Sequence, residues 1–435
     1  MNDILEPIYK AGFSAYLHGF SAIDSWLGWT NNPGAGVQIF TNADTADLAR
    51  FYEDLRFPGL TLADAAVDVD PKGTAGRTNS TGTTSFTLYF RCADSIKINR
   101  NKEISLNEKQ IAFNNSHTSF RILEFFQDCK TGTFYDPGGI YPLFVRIRKG
   151  LASESAELAA AAPDVLPEEI LCELSPAADH NRALMDAALI MAKYFPQTDD
   201  NEKLIKKVLG IVNNLGRNTS PGQEEQRVLL CGLMNSVNPA AGLELLKASG
   251  FITDYWKELE ILDEADHSKD FHPEGNAWKH TMETFRYRKS ALKSVLKSTA
   301  DLRLSLGLLL HDTGKPISMS AGSKRFDGHA ELGEIQARRF LERLGFETPL
   351  IKDVCFLVRN HMITAALPRL PLFRTKEVMA SELFPLLLEL YRCDESSSFK
   401  GLDGYYESSA AYQAFLRNRR NPYREPDGKK LKRKK

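Results

Sequence analysis

The apolar pattern of this 435-residue chain changes period near residue 150, and no other feature constrains its fold as strongly. Before that point, short runs such as Gly36-Val37-Gln38-Ile39-Phe40 and Phe86-Thr87-Leu88-Tyr89-Phe90 read as strands. Turn-rich stretches separate them, at Asn31 to Gly34 and Lys72 to Thr84. Residues 43–56 read as an amphipathic helix with an Asp or Thr cap. Asp68-Val69-Asp70 runs into Pro71-Lys72-Gly73 and reads as a loop. Beyond residue 150, apolar residues recur at spacings of three and four, as in Asn181 to Phe195, Glu202 to Leu215, Glu225 to Met234, Ser298 to His311 and His329 to Leu344. Gly314 and Gly345 read as the stops of the last two. The pattern predicts a multidomain α+β chain, an α/β head followed by an all-α body. The expected divisions are a head at 1–150, a helical neck at 151–250, a second helical domain at 251–416 and a tail at 417–435.

Composition narrows the class. At 43% hydrophobic and 26% charged residues, the chain can bury a sizeable core. No apolar run reaches the roughly 18 residues that a membrane span needs. The N-terminal residues lack a basic segment followed by an apolar core, so no secretory signal is expected. The six cysteines are scattered, without a Cys-x-x-Cys pair, which points to reduced thiols and a cytoplasmic location. From Arg417 onward ten basic residues face only Glu425 and Asp427. This local +8 leaves −9 on the other 416 residues, within a net charge of −1. Such a tail reads as a flexible cationic arm, suited to RNA phosphates or simply to solubility.

Six of the nine histidines lie beyond residue 260. The most informative segment is Leu308-Leu309-Leu310-His311-Asp312-Thr313-Gly314-Lys315. A His–Asp pair at the end of an apolar helix is costly to bury unless both groups are compensated. A divalent cation compensates both, since imidazole and carboxylate are ordinary ligands. His280 lies upstream of this pair, and His329, His361 and Asp394 follow it. The order His, His-Asp, His, His, Asp on successive helices therefore reads as a metal site, the bland reading being a helix-capping pair with satisfied histidines.

This order resembles that of HD-superfamily phosphohydrolases, and more closely the HD region of bacterial CCA-adding tRNA nucleotidyltransferases. The matching stretches are His272 to Thr281, Leu309 to Pro316, Arg325 to His329 and Val358 to Met362. The resemblance implies hydrolysis of a phosphate ester with a divalent metal (Mg, Mn, Co or Ni), held by His280, His311, Asp312, His329, His361 and Asp394. Asp312 and Lys315 would be catalytic, with Lys315 and Arg325 on the substrate phosphate.

The head also resembles that family. Tyr16-Leu17-His18-Gly19-Phe20-Ser21-Ala22-Ile23-Asp24 is similar to its Gly-Gly-x-x-Arg-Asp segment, and Tyr135 to Gly139 to its Asp-Pro-Phe-Gly-Gly turn. The family's metal-binding Asp-x-Asp would fall on Gly36 and Gln38, its third carboxylate near Phe86. Phe20 and Ile23 replace the second glycine and the arginine. Glu-Arg-x-Arg has become Glu224-Glu225-Gln226-Arg227. Neutral side chains do not hold Mg²⁺ against its hydration. The head therefore reads as a pseudo-transferase with Gly19, Ser21, Asp24, Asp179 and Arg182 as vestiges of nucleotide binding. The expected function is an HD phosphohydrolase acting on a phosphoester, a 2′,3′-cyclic phosphate or a nucleotide, with tRNA or other RNA as a partner of neck and tail and no membrane. The alternatives are an active CCA- or poly(A)-adding nucleotidyltransferase and a non-catalytic RNA-binding protein.

Overall fold

The computed structural model describes residues 1–28, 36–58, 62–69, 86–92, 119–136, 139–142, 144–145, 174, 179–194, 201–216, 220–265, 275–288, 298–320, 326–398 and 401–421. They belong to two compact units, the first Met1–Ser249 with Ala291–Ser298 and the second Gly250–Ser290 with Thr299–Lys435. The fold is α+β, an α/β head and helices beyond it. Among the described residues no helix is long and apolar enough to cross a membrane.

The first unit is built on a six-stranded sheet. In chain order the strands are β1 (Ala15–His18), β2 (Val37–Thr41), β3 (Ala65–Val69), β4 (Phe86–Cys92), β5 (Phe126–Asp128) and β6 (Phe134–Tyr135). Their spatial order is β3-β4-β2-β1-β5-β6, with β2 and β4 parallel and the other pairs antiparallel. Val37, Ile39, Phe40 and Thr41 are all buried and Gln38 is half-buried, so β2 is a central strand covered on both faces. Gln38 lies opposite Tyr89, and Thr87 opposite Asp68. These four side chains share one face, because alternate strand residues point the same way.

Two expectations about the head need correction. Asp68 stands on the edge strand Ala65–Val69 and not in a loop. The predicted Asp68-Val69-Asp70 loop failed to anticipate that Ala65, Ala66 and Val67 are fully buried against β4. Asp70 itself lies outside the described residues. The helix expected over 43–56 is shorter, Thr45–Phe51, with the Asp44 carboxylate accepting from Asp47 N at 2.7 Å. Tyr52 turns extended and stacks on Phe90, and that burial ends the helix.

The neck helices His180–Tyr194, Asn201–Val212, Gln223–Met234 and Pro239–Ala248 belong to the same unit as the sheet. Two ion-pair groups join them to it. The Lys193 ammonium bonds to Asp24, and Tyr194 Oη donates to the same carboxylate at 3.4 Å. Both charged side chains are buried. At the other junction Arg56 donates to both Glu224 oxygens (2.7 and 2.6 Å) and to both Asp68 oxygens (3.2 and 2.8 Å).

In the second unit, the helix Ser298–Leu310 is its core element. Leu302, Leu304, Leu306 and Leu308 to Leu310 are buried, as is Ser305, so the helix is enclosed on all sides. Around it stand Ala277–Thr284, Lys315–Ser320, His329–Arg343, Thr348–Ala366, Leu372–Ala380, Phe384–Ser396 and Asp403–Arg420. The last of these corrects the expected tail at 417–435: Arg417, Arg419 and Arg420 form its final turn. Cations there face the negative end of the helix dipole, which favours continuing the helix through them. Residues 422–435 lie outside the described set.

The buried pair in the first unit generates a test. Lys193→Met leaves the Asp24 carboxylate buried without its cation and should cost about 3–5 kcal/mol. Asp24→Asn combined with Lys193→Met should cost less, because no uncompensated charge remains. Urea unfolding of the two variants measures the difference.

Candidate metal centre

The central helix ends at Leu310, and the chain turns through His311, Asp312, Thr313 and Gly314 before Lys315–Ser320 begins. The helix expected over Ser298 to His311 thus ends one residue early, and Gly314, beyond that end, serves a close approach. A Cβ there would lie 2.0 Å from His329 O and 2.5 Å from Gly333 N. Only a residue without a side chain lets His329–Arg343 come so near. That approach brings His329 beside Asp312.

Five groups surround the Asp312 carboxylate. On one side of it Oδ2 lies 3.3 Å from His311 Nε2, 3.9 Å from His280 Nε2 and 2.6 Å from the Lys315 ammonium. On the other side Oδ1 lies 3.8 Å from His329 Nε2 and 4.0 Å from His361 Nε2. Asp394 Oδ1 is 2.9 Å from His280 Nε2. Two sets of three residues thus share Asp312, namely His280 with His311 and His329 with His361. Within each set the ligand atoms lie within 4.8 Å of one another, close enough to hold a metal ion. The side chains of His280, His311, Asp312 and His361 are 1–2% accessible, against 26% for Asp394 and 13% for Lys315. The cluster therefore opens towards solvent on the side of Asp394 and Lys315.

The second ring nitrogens decide what the cluster suits. His311 Nδ1 faces Leu308 O at 2.8 Å, His329 Nδ1 faces Phe326 O at 2.7 Å, and His361 Nδ1 faces Val358 O at 2.7 Å. A carbonyl oxygen only accepts, so each Nδ1 carries the proton. In a neutral ring Nε2 then presents a lone pair. Burial pushes His311 below the ordinary imidazole range, and burial followed by the nearby His311 pushes His361 down to about 3. His361 is therefore neutral at pH 7. His329 Nε2 stands 3.0 Å from His361 Nε2, a contact that needs a proton or a cation between the two nitrogens. His311 Nε2 is buried without a hydrogen-bond partner among the described residues.

Burial opposes the charge of Asp312, but His311, Lys315 and His280 outweigh it and hold the carboxyl well below the usual range. Burial likewise opposes the charge of Asp394, and the His280 hydrogen bond and charge overcome it. Two ionised carboxylates and imidazoles whose Nε2 atoms converge are a donor set that fits one or two divalent cations. Ser397 was not anticipated from the sequence. Its hydroxyl donates to Asp394 O at 2.6 Å and lies 3.3 Å from His280 Nδ1, so it orients His280. A serine within a helical run carries no such signal, and neither do three backbone carbonyls.

Of the substrate residues expected, Lys315 is at the cluster and Arg325 lies outside the described residues. The head residues have internal partners. Gly19, at φ 55°, precedes the helix Phe20–Leu27. Ser21 Oγ accepts from Gln38 N at 2.9 Å, and Asp24 pairs with Lys193. Asp179 accepts from Asn181 N at 3.0 Å at the start of a neck helix, and Arg182 lies 3.7 Å from Asp186. Gly36 has φ 71°, and a Cβ there would meet the Tyr89 ring at 2.2 Å. Tyr89 Oη in turn donates to Glu224 at 2.8 Å.

A helical bundle with a buried His–Asp turn and further histidines on neighbouring helices defines a class, and the family comparison agrees with it. Residues 278–383 match the HD domain family, so the second unit carries an HD domain. The chain is also similar to named tRNA enzymes. It is 34% identical over 148 residues to a CC-adding tRNA nucleotidyltransferase of Thermus thermophilus, covering 33% of this chain and 32% of that one. It is 34% identical over 133 residues to a multifunctional CCA protein of Halorhodospira halophila, covering 30% of each. With an A-adding tRNA nucleotidyltransferase of Deinococcus radiodurans it shares 28% identity over 196 residues, 43% of this chain and 42% of that one. The match spans about a third of the length of the first two.

Two measurements test the centre. Metal-stripped protein titrated with Mn²⁺ should bind it, with Asp312→Ala weakening every site and His361→Ala removing only part of the stoichiometry. Undiminished binding by Asp312→Ala rules out the shared carboxylate. Gly314→Ala should lower the melting temperature, at about 1–3 kcal/mol of overpacking, and weaken Mn²⁺ binding with it.

Proposed function

We propose that this chain is a metal-dependent phosphohydrolase of the HD type, acting on a phosphoester at the cluster around Asp312. The observation that carries this reading is the 3.0 Å approach of His329 Nε2 to His361 Nε2, with both Nδ1 protons already spent on carbonyls. Two imidazole nitrogens this close call for a proton or a metal ion between them, and the Asp312 carboxylate beside both favours the metal. His280, His311, Asp312 and Asp394 would hold one ion, and Asp312 with His329 and His361 a second. Divalent ions there supply Lewis acidity, acidifying water and neutralising charge on a phosphoryl group.

The chain's own residues account for the rest. The three carbonyl contacts hold the imidazoles in one tautomer and one orientation, so that no reorganisation is needed when substrate arrives. Lys315, on the open side, brings a positive charge to phosphoryl oxygens. The enclosed floor of the cluster keeps bulk water to one side.

In this proposal the first unit is a transferase-like head that does not transfer nucleotides. The pair Gly36 and Gln38 offers no carboxylate, and the Tyr89 ring fills the space that a side chain at 36 would need. Arg56, Asp68, Glu224 and Tyr89 cover the same face with a closed hydrogen-bond network. The neck and the basic residues after Arg417 are the proposed contacts to tRNA or other RNA. The names of the relatives favour a second reading, an active nucleotidyltransferase.

One panel separates the readings. Stripped protein is supplied in turn with Mg²⁺, Mn²⁺, Co²⁺ and Ni²⁺ and offered phosphomonoesters and 2′,3′-cyclic nucleotides. Phosphate release or ring opening is expected with at least one metal and should vanish in Asp312→Ala. No turnover with any metal overturns the proposal. The same protein should add no labelled CMP or AMP to a tRNA lacking its 3′ end, and Gly36→Asp with Gln38→Asp should add none either. Incorporation above background would establish the second reading.

A further inference from the structure

Three histidines of the cluster direct Nδ1 to the carbonyl three residues earlier, but only two of those carbonyls belong to helices. Leu308 lies in Ser298–Leu310 and Val358 in Thr348–Ala366, where regular backbone supplies the geometry. Phe326 precedes the helix His329–Arg343 and presents its carbonyl from a turn. It does so at φ 55°, the one non-glycine residue with positive φ among those described. Its oxygen accepts from both the backbone N–H (3.1 Å) and Nδ1 (2.7 Å) of His329. The cap residue of this helix, Gly328, has no side chain to take that role.

A glycine would hold this backbone without strain. A phenylalanine there, with its Cβ crowding the chain, calls for a reason, and its ring supplies one. The Lys315 ammonium lies 5.6 Å from the ring centroid, within cation–π reach, and 2.6 Å from Asp312 Oδ2. A lysine stem has several rotatable bonds, so one ion pair alone leaves its charge a choice of rotamers. A ring face and a carboxylate together narrow that choice. The turn is also anchored to the helix that carries Lys315. Ser318, a buried residue of the short helix Lys315–Ser320, donates to Asp327 O at 2.8 Å. Helix and turn are therefore joined at two points, Ser318 with Asp327 and Lys315 with Phe326.

We propose that Phe326 is a positioning residue of the metal centre. Its left-handed backbone fixes the tautomer and direction of His329, and its ring fixes the Lys315 ammonium on the open side of the cluster. The inference rests on the phosphohydrolase reading only for what that charge serves, the phosphoryl group. The placement itself is independent of metal and substrate.

Reductive methylation of the metal-free full chain, with Lys315 quantified by mass spectrometry, reads the placement. Phe326→Gly tolerates the backbone conformation and removes the ring. It should raise the Lys315 rate about two- to fivefold, the worth of one cation–π contact at a partly exposed site. Phe326→Tyr should keep the wild-type rate. Nitrogen NMR of the His329 ring should show a protonated Nδ1 in the wild type and in Phe326→Gly alike. Circular dichroism checks that both variants are folded. An unchanged Lys315 rate in folded Phe326→Gly, a raised rate in folded Phe326→Tyr, or an unprotonated His329 Nδ1 in the wild type or Phe326→Gly overturns the proposal. In the ester assay Phe326→Gly should lower kcat/KM, and adding Lys315→Met should lower it little further, because the ring acts through the lysine. Fully additive losses overturn the proposal as well. No turnover by the wild type would sink the phosphohydrolase reading alone and leave the methylation rates to decide the placement.

Discussion

A carboxylate placed at the buried end of an all-apolar helix must be compensated, and the second unit is arranged around that requirement. The leucines of Ser298–Leu310 carry Asp312 to a point where its side chain is 2% accessible. Removing a charge from water to such a site is affordable only with partners on every side. Lys315 and four imidazoles provide them, each from a different turn or helix. The bare Cα of Gly314 sets how near the helix of His329 can come, and so decides whether the carboxylate has partners on one side or on two.

The imidazoles are held by a repeated local device. His311, His329 and His361 each direct Nδ1 to the carbonyl three residues earlier. The bond lies within the residue's own turn, so the orientation of each ring is set locally. Tertiary packing then has only to bring the three turns together. His280 differs in relying on Ser397, a hydroxyl from a distant helix that is itself fixed by Asp394 O. Its orientation depends on the packing of Ala277–Thr284 against Phe384–Ser396.

The first unit uses its polar groups in the opposite way, inwardly. Asp24 pairs with Lys193, and Arg56 pairs with both Asp68 and Glu224, across the sheet and neck helices. Tyr89 occupies the space above Gly36 and donates to Glu224. Charges consumed in this way hold elements together and present little to a ligand. In the second unit the converging nitrogens and carboxylates share one small volume, an arrangement that could hold a metal ion.

Much of this was legible along the chain because the relevant physics is local. Periodicity of two and then of 3.6 separates the sheet from the helices, since each pattern buries one face in only one kind of element. His311 and Asp312 stand out because a polar pair after three leucines conflicts with its surroundings. Where the reading failed, long-range packing had overridden it. Asp68 lies in a strand because Ala65 to Val67 pair with residues some twenty positions later. Arg417 to Arg420 are helical because the helix begins far upstream at Asp403. Gly314 follows the helix end as expected, but nothing in the residue order shows that it also permits an approach by another helix. Residue order alone was enough to name the candidate ligands and their sequence on the chain. Whether their nitrogens would meet, at what distance, and with which tautomer depended on helix packing and on backbone carbonyls, and those contacts exist only once the chain has folded.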